Sequence, residues 1–133
     1  MKNEELIKKI LKLLSKKDYS EEEIREKIPS ITPSILKELK KKNLIDDYSL
    51  SLKIIENLQN KGKGYHYIFK ELERRKIKDQ IIEKLKKEYD FEKEVEICKK
   101  VVSRMEGKSI SSIILNLKSR GFSEEIIEKV INF

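Results

Sequence analysis

Few residues in this sequence could carry catalytic or metal chemistry. His66 is the single histidine and Cys98 the single cysteine, and they lie far apart in the sequence. Metal binding and general acid–base catalysis need several such groups placed together. Gly62 and Gly64 lead into Tyr65 and do not form a phosphate-binding glycine loop. We therefore expect His66 on the surface, available to a partner, and predict neither a metal nor a cofactor.

Asp46 and Asp47 are adjacent carboxylates, a residue type that acid–base catalysis employs. Such catalysis also needs partner groups around a cleft, and the sequence repeats no group that would supply them. A helix N-terminus explains the pair better, because a carboxylate there accepts backbone N–H bonds and stabilises the helix by ~0.5–2 kcal/mol. We therefore predict that Asp46 or Asp47 caps a helix and that the protein is not an enzyme.

Charge is the strongest signal in the composition. The 133 residues include 31 Lys and Arg against 24 Asp and Glu, which gives a net charge of +7. This balance favours an acidic partner, either nucleic acid or an acidic protein surface. Lys and Glu also alternate along the chain, a pattern that solvated surfaces without a target share. Charge alone therefore leaves both interpretations open.

The sequence contains no visible targeting or membrane segment. No stretch approaches the ~20 apolar residues of a membrane helix, and the first residues are charged, unlike a secretory signal. A single cysteine also excludes an intrachain disulfide framework. We therefore expect a cytoplasmic protein that does not enter membranes.

The elements that position these residues follow from an internal repeat. Segments beginning at Ile31, Ile77 and Phe122 each carry apolar residues at offsets 0, 4, 5 and 8, and they lie 46 and 45 residues apart. Offsets 4, 5 and 8 form one stripe of an amphipathic helix, and offset 0 is the residue just outside it. Three copies of one helical unit are therefore predicted.

Earlier positions in each copy match as well. Ile10, Ile54 and Cys98 are spaced 44 residues apart, which predicts that Cys98 is a buried core residue and not a nucleophile. In the middle helix of the first copy, Glu21 and Arg25 replace two apolar residues of the other copies. We expect that helix to be more exposed or shorter than its equivalents.

The predicted fold is all-α, with three tandem three-helix repeats at residues 1–45, 46–90 and 91–133. Stacked repeats of this kind form an elongated array, here predicted to be curved and right-handed. Such an array offers a long face, which suits an extended macromolecule better than a small substrate, and we expect a monomer. The nine helices are predicted near 3–17, 20–28, 33–42, 47–60, 64–75, 78–88, 91–105, 109–119 and 123–132.

Residues at the predicted helix ends support this division. Ser20 followed by Glu23 forms a capping box, and Thr32 before Pro33 supplies an N-cap with a proline at the first helical position. Ser123 is placed to cap the last helix. The connections are short, so neighbouring helices must pack closely.

Several motifs, in their order and spacing, resemble the RecX family of bacterial regulators of the RecA recombinase. They are Leu44-Ile45-Asp46-Asp47 before a long helix, then Gly64 and Glu71-Leu72, and Arg120-Gly121-Phe122-Ser123 near the end. The resemblance covers essentially the whole chain. The sequence departs from the family at Leu50 and Ser51, where an aromatic residue and Ala are common, and at Lys76, where Gly is common.

The resemblance implies a function that the repeat cannot reveal. RecX proteins lodge in the helical groove of the RecA–DNA filament and limit its growth, ATP hydrolysis, strand exchange and coprotease activity, with consequences for DNA repair and the SOS response. The alternative is a helical-repeat protein that binds single- or double-stranded DNA directly. In either case, the basic residues expected to contact acidic RecA surface or DNA phosphate are Lys61, Lys63, Arg74, Arg75, Arg104, Lys108, Lys118 and Arg120.

Overall fold

The structure is a computed structural model that describes residues 3–131, and within this range it contains nine α-helices and no strand. The helices are α1 Asn3–Leu14, α2 Glu21–Lys27, α3 Pro33–Lys41, α4 Asp47–Asn60, α5 Tyr65–Arg74, α6 Asp79–Glu88, α7 Phe91–Ser103, α8 Ile110–Ser119 and α9 Glu124–Ile131.

The predicted all-α fold with nine helices is confirmed across the described residues. Eight helices agree closely with the predicted ranges. The exception, α1, ends at Leu14 and not near residue 17, because the apolar stripe stops there and polar residues follow. The predicted end of the last helix at residue 132 lies outside the described residues. We call residues 1–45, 46–90 and 91–133 repeats 1, 2 and 3; the curvature of their stack and its hand stay predictions.

The predicted caps are confirmed. Ser20 and Glu23 form both bonds of the capping box on α2, and Thr32 accepts from the third residue of α3, with proline at the first helical position. Asp46 is the N-cap of α4, and the Ser123 hydroxyl accepts from the amide of Ile126 at 3.3 Å. These contacts satisfy amides that a helix N-terminus otherwise leaves without an acceptor.

Three clusters of buried apolar side chains hold the helices together, one drawn from residues of each repeat. Cys98 is fully buried in the third cluster, as predicted. Burial raises the pKa of its thiol to about 11, since an apolar environment disfavours the thiolate. Cys98 is therefore a packing residue.

The middle helix of repeat 1 is short, with seven residues in α2, which confirms one of the two expected outcomes. The other expected outcome was greater exposure of this helix. For Glu21 that expectation is wrong, because the residue is only 1% exposed. Its carboxylate is paired with the ammonium groups of Lys40 and Lys78. These lysines compensate the charge that its burial would otherwise isolate.

Candidate functional site

Adjacent repeats meet through the N-terminus of a middle helix. Between repeats 1 and 2, the first seam, the amide of Glu21 donates to Asp47 Oδ1 at 2.9 Å. Between repeats 2 and 3, the second seam, the amide of Tyr65 donates to Glu94 Oε1 at 2.6 Å. Glu21 and Tyr65 are each the first residue of their helix. Each seam therefore places a carboxylate of the next repeat at the positive end of a helix dipole.

Arg75 joins the two repeats of the first seam. Its guanidinium contacts the carboxylate of Glu23 at 3.0 and 3.1 Å and donates to the carbonyl of Asp18 at 2.8 Å. The Arg75 carbonyl accepts from the hydroxyl of Ser20 at 2.8 Å. Its side chain is only 14% exposed. The contacts of Arg75 are therefore internal to the chain, in a fork geometry that lysine cannot reproduce.

Arg120 holds the corresponding place in the second seam. Its carbonyl accepts from the amide of Gly64 at 2.8 Å, and its guanidinium donates to the carbonyl of Lys61 at 3.3 Å. The next residue, Gly121, has a φ of +94°, and a Cβ there would lie 2.4 Å from the backbone nitrogen of Tyr67. Glycine is thus required at this position by both conformation and space.

Both seams contain a carboxyl group whose pKa is raised. Burial is the main cause for Glu94, which has no exposed surface, and its hydrogen bonds offset that effect only in part. Burial also raises the pKa of Asp47, and the nearby charge of Glu21 adds to it. The Tyr89 hydroxyl donates to Glu94 at 2.5 Å. Asp47 and Glu94 therefore lie in surroundings that disfavour their ionisation.

A cleft of about 450 Å³ opens on the second seam between α5, α6 and the end of α8. We call it the aromatic cleft. Its basic residues are Lys70, Lys86 and Lys118, which come from three different helices. Tyr67 is 38% exposed in its wall, and the Lys63 ammonium lies 4.5 Å from the centre of that ring. The cleft combines positive charge with an accessible aromatic ring.

A second cleft of about 230 Å³ lies between the end of α4 and α7. We call it the basic cleft, because Lys93, Lys100 and Arg104 line its α7 side. Gly62 forms part of the opposite wall. No ion pair among the described residues involves any of these three basic side chains. Their charge is therefore available to an acidic group from outside the chain.

The eight predicted basic residues lie in different places in the structure. Lys63 and Lys118 lie at the aromatic cleft and Arg104 at the basic cleft, whereas Arg75 and Arg120 point into the two seams. Lys61 and Lys108 are exposed on loops. Arg74 is exposed and pairs with Glu71 in its own helix, Nε to Oε2 at 2.9 Å. The structure thus brings together basic residues of repeats 2 and 3.

Sequence reasoning missed four basic residues that line the clefts: Lys70, Lys86, Lys93 and Lys100. The residues predicted from sequence lie on loops and near helix ends, whereas these lysines lie inside helices, on faces turned away from the apolar stripe. The only sequence feature that could have indicated these lysines is their position within the repeat. It cannot separate a lysine beside a cleft from one on an ordinary solvated surface.

The structure brings no cluster of metal-ligating side chains together in the part of the chain it describes. His66 is exposed, as predicted. No group of three or more His, Cys, Asp or Glu side chains within residues 3–131 could hold a metal ion. None of the described helices is both long and apolar enough to cross a bilayer.

Comparison with known proteins agrees with the resemblance that the sequence motifs indicate. Three curated proteins named Regulatory protein RecX, from strains of Streptococcus thermophilus, are 28% identical to the chain over 135 aligned positions, and the match covers 92% of this chain. The crystal structure of RecX from Lactobacillus salivarius superimposes with a TM-score of 0.81 over 96% of this chain and 93% of that one, at 23% identity. The resemblance to the RecX family is confirmed.

A further crystal structure, of regulatory protein RecX, matches with a TM-score of 0.73 at 24% identity, over 97% of this chain and 71% of that one. At these identities the two crystal structures establish the fold shared with RecX. The chain spans about half the length, 52%, of the curated RecX relatives it matches. No protein-family model matches the chain.

Proposed function

We propose that this protein is a RecX-type regulator that binds the RecA–DNA filament and limits filament growth, ATP hydrolysis, strand exchange and coprotease activity. A RecA regulator acts in the cytoplasm, in DNA repair and the SOS response. We expect this one to be a monomeric binding protein and not an enzyme. The observation that carries the proposal is a pair of clefts beside the second seam. Basic side chains of repeats 2 and 3 meet at the aromatic cleft, and basic side chains of repeat 3 line the basic cleft.

Two clefts beside one seam suit a partner that is itself repetitive. Each cleft draws its walls from two adjacent repeats, so a bound surface is held by both repeats together. Arginine and lysine in such clefts attract carboxylates and phosphates, with arginine favoured for two-point contacts. A filament groove presents the same surface again at each protomer. The basic contacts in this arrangement are Lys61, Lys63, Arg74, Arg104, Lys108 and Lys118, together with the four lysines found in the clefts.

Inhibition follows if the regulator prefers one state of the filament. A ligand shifts an equilibrium only by its difference in affinity for the two states. A protein that bridges neighbouring protomers binds the assembled filament better than free RecA. If it also prefers the protomer arrangement that precedes ATP hydrolysis, it slows the motion that hydrolysis requires.

Direct binding of single-stranded DNA is a second candidate, and the aromatic cleft favours it. Proteins that bind single strands without sequence preference combine a basic groove with aromatic rings on which bases stack. Tyr67 supplies an exposed ring, and Lys63, Lys70, Lys86 and Lys118 supply the charge around it. In this case the affinity for naked DNA falls steeply with salt, since each phosphate contact releases counterions.

Reversing the charge of the aromatic cleft tests the proposal. The variant Lys70→Glu, Lys86→Glu and Lys118→Glu should weaken inhibition of the RecA ATPase by about tenfold or more, since charge pairs at interfaces each contribute about a kcal/mol or more. The matched control is Lys9→Glu, Lys37→Glu and Lys41→Glu, three exposed lysines of repeat 1 that change the net charge equally. Equal inhibition by the two variants would contradict the role of the cleft.

A further inference from the structure

The two seams are built from different interactions, although they occupy equivalent places in the repeat. Four ion pairs cross the first seam, each between an acidic residue of repeat 1 and a basic residue of repeat 2. They are Asp18 with Lys53 at 3.1 Å, Glu21 with Lys78 at 2.5 Å, Glu23 with Arg75 at 3.0 Å, and Glu26 with Lys76. Within residues 3–131, no ion pair crosses the second seam, because those of repeats 2 and 3 otherwise stay inside one repeat. Opposite charges therefore join repeat 1 to the rest of the chain.

Backbone hydrogen bonds and close packing hold the second seam instead. The amide of Gly64 donates to the carbonyl of Arg120 at 2.8 Å. The amide of His66 donates to the carbonyl of Gly121 at 3.0 Å. A Cβ at Gly64 would lie 2.7 Å from Cδ1 of Phe122, so the two repeats leave no room for a side chain there. Among the described residues, no hydrogen bond between two backbone groups crosses the first seam.

Apolar contacts differ between the seams in the same sense. The ring of Phe91, from repeat 3, lies against Tyr65 and Tyr89 of repeat 2, with centres 5.4 and 5.0 Å apart. At the first seam, the buried apolar cluster of repeat 1 is made up of residues 6–45 alone and that of repeat 2 of residues 50–85 alone. Charge pairing therefore carries a larger share of the first seam than of the second.

The ion pairs of the first seam are open to counterions. The side chains of Lys53, Lys76 and Lys78 are between 44% and 65% exposed, and salt screens pairs that solvent reaches. Glu21 is buried by contrast, and removing its carboxylate from water has a desolvation cost that the attraction of its lysines must offset. Opening the seam returns that carboxylate to water. The balance at the first seam is therefore narrow and depends on ionic strength.

We propose that the first seam is a salt-sensitive hinge: raised ionic strength releases repeat 1 from repeat 2, whereas repeats 2 and 3 stay joined. The connection that remains is residues 42–46, between α3 and α4. Both clefts lie beside the second seam, so they keep their shape when repeat 1 moves. Opening also frees Lys53, Lys76 and Lys78 from their partners in repeat 1, and these lysines then add to the basic surface of repeat 2.

Distances between spin labels across each seam test the hinge in the full-length chain. The pair Lys9→Cys and Lys87→Cys spans the first seam, and the pair Lys87→Cys and Lys129→Cys spans the second. All three lysines are exposed, and Cys98 is fully buried, so it stays unlabelled in the folded protein.

The labels are measured between about 0.1 M and about 1 M NaCl, over which the screening length falls from about 10 Å to about 3 Å. The distance distribution across the first seam should broaden and its mean should shift by several ångströms, while that across the second seam stays the same. Circular dichroism should show constant helicity over the same range. An unchanged distribution across the first seam, or an equal change across both seams, would overturn the proposal.

A second test removes charges at constant salt. Glu23→Gln with Glu26→Gln weakens two of the four ion pairs, and glutamine at residue 23 can still complete the capping box of α2. The matched control is Glu56→Gln with Glu73→Gln, two exposed glutamates of repeat 2 that form no ion pair within residues 3–131. The first variant should show the broad distribution already at low salt, and the control should match the wild type. Identical distributions in the two variants would count against the hinge, and the salt series on the unaltered seam does not depend on either variant.

Discussion

The carboxylate of Glu94 accepts a hydrogen bond from the amide of Tyr65, which belongs to the preceding repeat. The first seam makes the same contact with a different residue, since Asp47 accepts from the amide of Glu21. Asp47 is the first residue of its helix and Glu94 the fourth, so the longer side chain comes from one turn further along. The geometry of the seam is therefore repeated even though the residues that build it are not.

The stability of the protein should fall with rising pH in the range where Glu94 loses its proton. Burial raises the pKa of Glu94 above the ordinary value of 4.5, so between these two values the folded chain binds more protons than the unfolded chain. Stability then decreases as pH increases across that range. Urea unfolding from pH 4 upward should show this decline in the wild type and a smaller one in Glu94→Gln, which keeps an acceptor for Tyr65 but cannot ionise. An identical pH dependence in the two proteins would show that Glu94 does not titrate in this range.

Two neighbouring arginines should behave oppositely when replaced. Arg75→Ala breaks the contacts with Glu23 and Asp18 in the first seam, and we expect it to lower the free energy of unfolding by about 1–3 kcal/mol. Arg74→Ala should leave the melting temperature unchanged, because that side chain is exposed. It should instead weaken filament binding, as predicted for a contact residue. Similar melting temperatures for the two variants would contradict the seam role of Arg75.

The same seam contact also predicts how the Arg75 variant responds to acid. Burial alone would raise the pKa of Glu23, but hydrogen bonds from Arg75 and from the Ser20 amide outweigh it and leave the pKa lowered. The stabilisation is therefore present above the ordinary value of 4.5 and is lost as pH falls through the lower, folded value. The difference in stability between wild type and Arg75→Ala should shrink accordingly in acid.

Gly121 and Gly107 form a matched pair for testing the second seam. Both have positive φ, at +94° and +82°, but a Cβ at Gly121 meets the backbone of Tyr67 whereas one at Gly107 meets nothing within 4 Å. Gly107→Ala should cost only the conformational strain, about 1–2 kcal/mol. Gly121→Ala must also separate repeats 2 and 3, so its melting temperature should fall several degrees further. An equal loss of melting temperature in the two variants would mean that repeats 2 and 3 can move apart at the second seam at little energetic cost.

Much of the fold could be predicted from sequence because it depends on patterns with a fixed period. The apolar stripes gave the nine helices, and small polar residues such as Ser20 and Thr32 gave their starts. The seams could not be found in this way, because Asp47 and Glu94 are different residue types and do not occupy the same position in their helices. Lys76 illustrates the same limit: it adopts a φ of +61° at the place where repeat 3 has a glycine.

The candidate site was predictable only in outline. Net charge and the family resemblance indicated basic contacts in repeats 2 and 3, and two of those residues, Arg104 and Lys118, do line the clefts. Which charges are available depends on tertiary contacts. Arg75 and Arg120 look like the other basic residues in sequence, yet the structure directs both into seams. Lys70 and Lys86 gave no signal of their own and are placed at the aromatic cleft by three helices that meet there.

The most direct test of the central claim compares two affinities of the wild-type protein at physiological salt. One is for RecA–ssDNA–ATP filaments and the other for the same single-stranded DNA without RecA, each titrated with fluorescently labelled protein. A filament regulator should bind the filament at least about tenfold more tightly, a preference of about 1.4 kcal/mol, and should retain that preference as salt rises. Equal affinity for filament and naked DNA, with both falling steeply in salt, would contradict the filament-specific function and favour direct DNA binding.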